Sequence, residues 1–508
     1  MGRYENPILA GCHPDPSICR VGDTYYLVTS TFEYLPGLPI HASKNLVDWE
    51  LIGHAIHRPE QLDLRGLESS RGLYAPTIRA IGDLLVVVCT AVGPDDGSWT
   101  GRTGHFLVTA SDAAGPWSDP VWIDDVGGFD PSITVDGDRV WLCGTRPPEP
   151  MRWPGETEVW LAELELATGR LLTEPIVVWR GADSHAVWAE GPHIVARPGG
   201  GWMLVAAEGG TDTDHAVVVA YADEITGPYV GDTGNPRLTH RDLGATAPIN
   251  SVGHADVVDT PDGRAFATVL ALHAVDGRRG LLGRRTSLVP VDWEDGRPLF
   301  APGVARVPPV VETDGVPDAV TASRVFIDDF ESKTLRPEWT SVGRFPSTFV
   351  DLAARAGHAR LDGGAHSTSI ERVSALLTRL PSERTAIEAV IDLVPGGDEF
   401  RAGLLLRVSE RNHLEFTVGR DGGVEASLLA HGDRHPAGVG TVSIDGPVRL
   451  GIDITDLVAS CHVSGTVIAT ADVSALAPGP PTGFVGAWVG VVAVGDGYCD
   501  VDRVDLRW

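Results

Sequence analysis

Asp15, Asp130 and Glu190 stand in three similar settings, "HPDPSI", "FDPSI" and "AEGPHI". In each, a proline follows the acid by one or two residues and an isoleucine follows the proline by two (Pro16/Ile18, Pro131/Ile133, Pro192/Ile194). "YAPTI" repeats the spacing at Pro76/Ile78 with Ala75 in place of the acid, and "GHADVV" brings His254 and Asp256 around Ala255. A single Asp-Pro pair is ordinarily a turn in which the carboxylate bonds its own backbone. Three acids in repeated settings point instead to a shared position in the fold. Two carboxyl groups facing each other across a pocket can split a glycosidic bond, one protonated and donating to the leaving oxygen, the other ionised. At ~6.5–9.5 Å a water fits between base and sugar and the anomeric centre inverts; at ~5 Å the second acid attacks directly and configuration is retained. A third carboxylate nearby raises the acid's pKa by like-charge repulsion.

Other chemistries have thinner support. Three acids could bind calcium, but the D-x-D-x-D-G loop is missing from the sequence. So are the H-E-x-x-H zinc helix, the G-x-S-x-G elbow, the Walker loop and the dinucleotide glycine fingerprint. A carbohydrate-binding channel without catalysis is the rival from another class.

The elements that must carry these acids recur with them. Each copy leads through a glycine turn into an apolar run: "GDTYYLVTS", "GDLLVVVCT", "GDRVWLCGT", "GGWMLVAAE" and "DGRAFATVLAL". An alternating segment and a turn bearing Trp or Tyr follow. Short β-branched runs broken by Gly-Asp and Gly-Pro turns are strands, and helical periodicity is missing. A period of roughly 60 residues, with about four strands each, is the signature of a β-propeller with long connections. Five copies predict an all-β chain that opens with a five-bladed propeller over 1–302; the competing account is a plain β-sandwich with accidental similarity. The first strand of each propeller blade lines a central channel, so three of five copies would aim an acid at one point.

The whole chain has 508 residues, 40 Lys+Arg against 69 Asp+Glu, and a formal net charge of -29. That excess repels phosphate backbones and anionic lipid, which argues against nucleic-acid and membrane partners and suits a neutral ligand. Cys12, Cys19, Cys89, Cys143, Cys461 and Cys499 are scattered without a C-x-x-C pair, as expected of buried thiols in a reducing compartment. "MGRYENPILAGCHPDPS" shows no basic stretch followed by an apolar core, so no signal peptide is read and a cytoplasmic location is expected. Oligomeric state has no signature in the sequence.

With these residues in view, the first ~300 residues resemble glycoside hydrolase family 43, in particular its β-xylosidase and α-L-arabinofuranosidase members. The matching stretches include "NPILAGCHPDPSICRVGDTYYLVTSTFEYLPGLPIHASKNLVDW", "APTIR", "FDPSI", "AEGPHI", "GHADVV" and "LLGRRTSLVPVDWEDGRP". The resemblance implies a five-bladed propeller. It implies that Asp15 is the general base that activates water, that Asp130 tunes and orients the acid, and that Glu190 is the general acid. Phe32 would wall the sugar subsite and Arg284 would hold a sugar hydroxyl; Arg285, its neighbour on the opposite face, is the fallback. His254 lies near the channel axis in this family, sometimes with a bound calcium or other ion; no cofactor is otherwise required. Tyr74 stands where close relatives usually have Trp, a smaller aromatic platform with a polar tip. The segment after Asp130, with Arg146, Trp153 and a Pro-rich loop, also departs from the family pattern and would shape the leaving-group side.

"APGVARVPPVVETDGVPDAVTASR" is Pro- and Val-rich, an extended connector over 303–324. Alternating runs such as "TAIEAVIDLV", "HLEFTVGR" and "PVRLGIDIT" predict a jelly-roll-like β-sandwich over 325–508, with "GFVGAWVGVVAVGDGY" as the region that would supply a pocket residue. The expected activity is exo-acting, inverting release of terminal β-D-xylose from xylooligosaccharides derived from plant polysaccharide. The alternative within the class is α-L-arabinofuranoside hydrolysis, alone or in addition.

Overall fold

The apolar runs that follow each glycine turn are buried on both faces, which explains why they read as continuous rather than alternating. In the computed structural model, which describes residues 2–319, 324–393, 399–479 and 483–508, Val86, Val87, Val88 and Cys89 are all buried. Val87 joins one apolar cluster and Val88 the next; Leu204 and Val205 divide in the same way. Each such strand is therefore the middle of a sheet packed between two neighbours. Burying one Val or Leu side chain contributes about 1.5–3 kcal/mol, and a charge at Val88 would lose that on the face packed against the next sheet.

Each repeat pairs as its own antiparallel sheet, five in all among the described residues of the first 300 or so. The first strands of the sheets are β1 (Ser17–Val21), β2 (Thr77–Ile81), β3 (Phe129–Asp136), β4 (Glu190–Ala196) and β5 (Ile249–Asp259). They neighbour one another in chain order, β1 against β2 and so on to β5, and β5 returns to pack against β1. The start of the chain is tied to this ring: Gly2–Glu5 pairs antiparallel with Val310–Thr313, and the Tyr4 hydroxyl donates to the Leu288 carbonyl at 3.0 Å. The connector over 303–324 thus supplies a strand to the first unit; residues 320–323 lie outside the described residues.

The remaining chain forms two facing sheets, one of eight strands and one of six. Alternation is clear in Arg384–Leu393, whose inward residues Ile387, Ala389 and Ile391 join the core between the sheets. Three further strands matter for the site: β6 (Arg278–Glu294) in the fifth sheet, and β7 (Arg401–Ser409) and β8 (Trp488–Val494) in the six-stranded sheet. The chain is all-β; among the described residues the only helices are short 3-10 turns at Pro346–Thr348 and Ser474–Leu476. Among the described residues, no helix is long and apolar enough to cross a membrane.

The two parts are joined by backbone pairing of Tyr34–Leu35 with Ser341–Val342. They are also joined by one apolar cluster that runs from Phe32 and Tyr34 to Leu405 and Trp488. The Tyr34 and Trp488 rings stack at 4.0 Å.

Candidate active site

A recurring backbone irregularity sets the acids apart from the strands that follow them. Asp15 and Asp130 both have φ of 52°, His254 has 48°, and Gly191, next to Glu190, has 60°. The ladders slip at the same places, between Phe129 and Ser132, Glu190 and His193, and Gly253 and Ala255. These are bulges, which re-aim a side chain out of the strict in-out alternation. An L-residue in the left-handed region costs about 1–2 kcal/mol, a strain that the flanking sheet holds in place. Gly191 must be glycine for a second reason: a Cβ there would lie 2.9 Å from the His254 ring.

Asp15 is buried, with both carboxylate oxygens engaged. Oδ2 accepts from the Ser30 hydroxyl at 2.6 Å and Oδ1 from Arg284 Nη1 at 3.0 Å, while His254 Nδ1 stands 3.7 Å from Oδ1. Asp130 Oδ2 accepts from the Gly191 backbone N–H at 3.1 Å, so the acid of β3 is fixed by the bulge of β4. Burial first, then the charge of Asp15, push the Asp130 carboxyl up to about 8; the Gly191 N–H and Arg284 oppose the rise. Glu190, half-buried, is raised well above the usual carboxylate range by burial, then by Asp130 and Asp15, with Arg284 again opposing. The three carboxyls therefore feel one another and share one cation. Burial and like-charge repulsion thus shift both Asp130 and Glu190 toward the protonated form.

Arg284, on β6, is the hub of this arrangement. Beyond Asp15, it donates from Nη1 to the Thr211 hydroxyl and from Nε to the Phe484 carbonyl, each at 3.3 Å. Its guanidinium lies over the Phe32 ring at 5.4 Å and the Phe484 ring at 5.0 Å. Arg285 turns the other way and is half-buried near Glu383, so the alternation of β6 puts Arg284 alone at the acids. Phe32 and Tyr74 meet edge-on at 5.5 Å, and Phe484 approaches them at 6.1 and 6.4 Å. Phe484 comes from the second unit, from the "GFVGAW" run; with Thr211, Leu272, Arg279 and Pro478 it lines a cleft beside Arg284. Thr211, Ser30 and Phe484 are the neighbours that sequence reasoning did not assign.

His254 and Asp256 part company. Asp256 accepts from the Ser17 hydroxyl at 2.7 Å and from both terminal nitrogens of Arg79 at 2.8 and 3.0 Å, and the Arg79 pair is the main influence opposing burial and holding it at about 2. Arg79 also reaches within 3.3 Å of His193 Nδ1. Asp256, already serving a guanidinium, is not free to hold an ion beside His254. Among the described residues, no group of three His, Cys, Asp or Glu side chains could hold a metal.

In the segment after Asp130, Arg146 pairs with Glu158 at 3.0 Å, and the Trp153 indole donates to the Ala186 carbonyl at 2.9 Å. Trp188, 41 % exposed and left-handed at φ 55°, packs near Phe129, with ring centroids 6.4 Å apart. It stands two residues before Glu190, and Phe129 immediately precedes Asp130.

The sequence profile described as glycosyl hydrolases family 43 matches residues 4–298, and that of the beta xylosidase C-terminal Concanavalin A-like domain matches 327–507. A xylosidase/arabinosidase of Butyrivibrio fibrisolvens is 38% identical over 423 residues, 81% of this chain and 79% of the relative. A non-reducing end alpha-L-arabinofuranosidase of Bacteroides ovatus is 33% identical over 99% of this chain and 94% of its own. Among solved structures, a xylan beta-1,4-xylosidase of Bacillus halodurans superposes with a TM-score of 0.90 at 28% identity, over 99% of this chain and 100% of its own. The chain is thus a glycoside hydrolase belonging to glycosyl hydrolases family 43.

Proposed function

We propose that the protein is an exo-acting, inverting hydrolase that releases terminal β-D-xylose from short oligosaccharides of plant-polysaccharide origin. In this reading Asp15 activates water, Glu190 protonates the leaving oxygen, and Asp130 raises and orients Glu190. The observation that carries it is the electrostatic division among the acids. Asp15 has both oxygens occupied as acceptors, from Ser30 and Arg284, whereas Glu190 is raised well above the usual carboxylate range by burial and two neighbouring carboxyls, which favours its protonated form. A base needs the first setting and an acid the second. Acids carried by different sheets around a ring favour the wider spacing of inversion. Phe32, Tyr74 and Phe484 form walls suited to one pentose, and closure by a residue of the second unit suits chain ends over long polymers. No step passes through a metal, and His254 acts as a neighbour of Asp15.

The same reading takes 1–302 as a five-bladed propeller, 303–324 as connector and 325–508 as the sandwich. Five sheets whose first strands close on one another support it, as do the limits of the two profile matches. Six buried, unpaired cysteines suit a reducing cytoplasm.

Hydrolysis of α-L-arabinofuranosides is the second reading. Tyr74 in place of a larger platform favours it, and so do the names of the relatives. Binding without catalysis falls away with family membership. Initial rates on a chromogenic β-D-xylopyranoside and a chromogenic α-L-arabinofuranoside, for wild type and Asp15→Asn, test the proposal. Turnover that vanishes in the variant supports the base, and the ratio of the two rates assigns the pentose. No turnover of either by folded wild type would defeat both readings.

A further inference from the structure

A buried charge cluster lies directly behind the aromatic walls, and the chemistry above does not use it. Glu33 follows Phe32 in the chain and is fully buried. Its Oε2 accepts from the Ser70 backbone N–H at 3.1 Å, and its Oε1 lies 3.7 Å from Arg407 Nη1. Arg407, on β7, comes to this cluster from the sandwich together with Glu410, which stands 3.6 Å from its Nη2. Arg407 Nη1 also donates to the Ser69 hydroxyl at 3.2 Å and the Tyr34 hydroxyl at 3.4 Å. The Ser70 hydroxyl accepts from the Phe484 backbone N–H at 2.8 Å. Meanwhile Phe32 is locked by reciprocal backbone hydrogen bonds with Leu73, each 3.0 Å, and held left-handed at φ 52°. A continuous path thus leads from a guanidinium in the second unit to both phenyl rings at the site.

Stability alone does not explain the pair. Arg407 Nε and Nη2 are buried without hydrogen-bond partners, and a buried ion pair of imperfect geometry is often no better than apolar residues of the same volume. What the charges do supply is direction. The Glu33 carboxylate orients the Ser69–Ser70 backbone, and with it the hydroxyl that receives Phe484.

We propose that Glu33 and Arg407 are positioning residues through which the sandwich sets the aromatic walls of the sugar subsite. Arg407 neutralises Glu33, Glu33 orders Ser70, and Ser70 holds Phe484 opposite Phe32. This rests on the reading of that pocket as the pentose site. Burial pushes the Glu33 carboxyl up to about 7, with Arg407 as the chief opposing charge, so losing Arg407 favours the neutral acid and weakens its hold on Ser70. Arg284 keeps its own bonds to Asp15 and Thr211. The loss therefore falls on binding shared by ground and transition states, which raises KM and spares kcat.

The test compares Arg407→Met, Ser70→Ala and the double variant Glu33→Gln/Arg407→Met on whichever chromogenic pentoside wild type turns over, with calorimetric titration of the free pentose and a thermal melt for each. Arg407→Met and Ser70→Ala are expected to raise KM about fivefold or more, to weaken pentose binding by the same factor, and to leave kcat within about threefold. The double variant carries a neutral amide in place of the carboxylate, so it is expected to keep the raised KM while recovering melting temperature, because no buried charge is left uncompensated between these two residues. An unchanged KM in both single variants, with only the melting temperature lowered, overturns the proposal and leaves the cluster purely structural. If Arg407→Met does not fold, Ser70→Ala decides, because it removes one hydroxyl at the last link. A wild type that turns over neither pentoside defeats the functional reading; pentose titration then still reads the walls, and failure to bind either sugar overturns both.

Discussion

Arg284→Met is the perturbation on which the account of the site depends most. Methionine keeps much of the stem and removes the charge. In the proposed mechanism the guanidinium makes two charge-assisted hydrogen bonds that matter in the transition state, one to Asp15 at 3.0 Å and one to a sugar hydroxyl. At about 1.5–3 kcal/mol each, their loss amounts to about 3–6 kcal/mol. At ~1.36 kcal/mol per tenfold, kcat/KM should fall about 150- to 25,000-fold. Asp15 would be left buried with only the Ser30 hydroxyl and a neighbouring histidine, so stability should fall as well, by about 3–5 kcal/mol. Rates must therefore be taken well below the variant's own melting temperature. The pH profile carries an independent sign. Arg284 opposes the raised pKa of both Asp130 and Glu190. Without it both rise further, the acid keeps its proton to higher pH, and the alkaline limb of kcat/KM moves upward. A folded variant with kcat/KM within tenfold of wild type, or with the limb moved downward, would refute the shared-cation account.

Asp130→Asn removes a like charge from beside Glu190, so the alkaline limb should move to lower pH, the opposite direction, as read from kcat across the same buffers. Glu190→Gln should cost about 100- to 10,000-fold on xylobiose or an arabinosyl oligosaccharide, whose leaving oxygen needs a proton, and far less on a dinitrophenyl glycoside, as compared by initial rates. Arg79→Met leaves Asp256 buried without its guanidinium and should destabilise the fold by about 3–5 kcal/mol in denaturant titration. Asp256 is held at about 2 in the folded protein, against an ordinary value of 3.8. Its contribution is thus complete above the ordinary range and lost as pH falls toward 2, so wild-type stability should drop across that window and the variant's should drop less.

The first unit was legible because its chemistry and its architecture repeat together. Pro16, Pro76, Pro131 and Pro192 mark the same point in successive sheets, and the acids come with them. The strands of the second unit were legible from alternation, as in Arg384–Leu393. Less legible was anything that depends on two distant segments meeting. Asp256 looked like His254 in sequence, two residues away on the same strand. It turns instead to Arg79, because the bulge at Gly253–Ala255 breaks the alternation between them. Nothing local to Arg79 says that it will span three first strands. Phe484 sits in a run singled out for a pocket residue, yet which side chain it would be depends on the packing of the second unit against the first. That Arg284 rather than Arg285 meets the acids follows from the register of β6 against Ala271 and Leu272, a fact of pairing rather than composition.

The left-handed residues show how architecture and chemistry share one solution. A regular first strand would send its leading side chain up or down the sheet in step with its neighbours. One extra residue at the strand's start, held at positive φ, re-aims that side chain toward the place where all five first strands meet. The conformation is costly for Asp15, Asp130 and His254, and it persists because the glycine turn and buried middle strand that follow are stabilised independently of it. The strain is therefore carried by the sheets and not by the substrate. Asp130 illustrates the result: its oxygen is fixed by the Gly191 N–H, a donor that points at it only because the next sheet has the same bulge. The fourth sheet thus orients the acid of the third, and Arg284 of the fifth sheet holds Asp15 of the first. Phe484 is delivered by the second unit and needs its own anchor at Ser70.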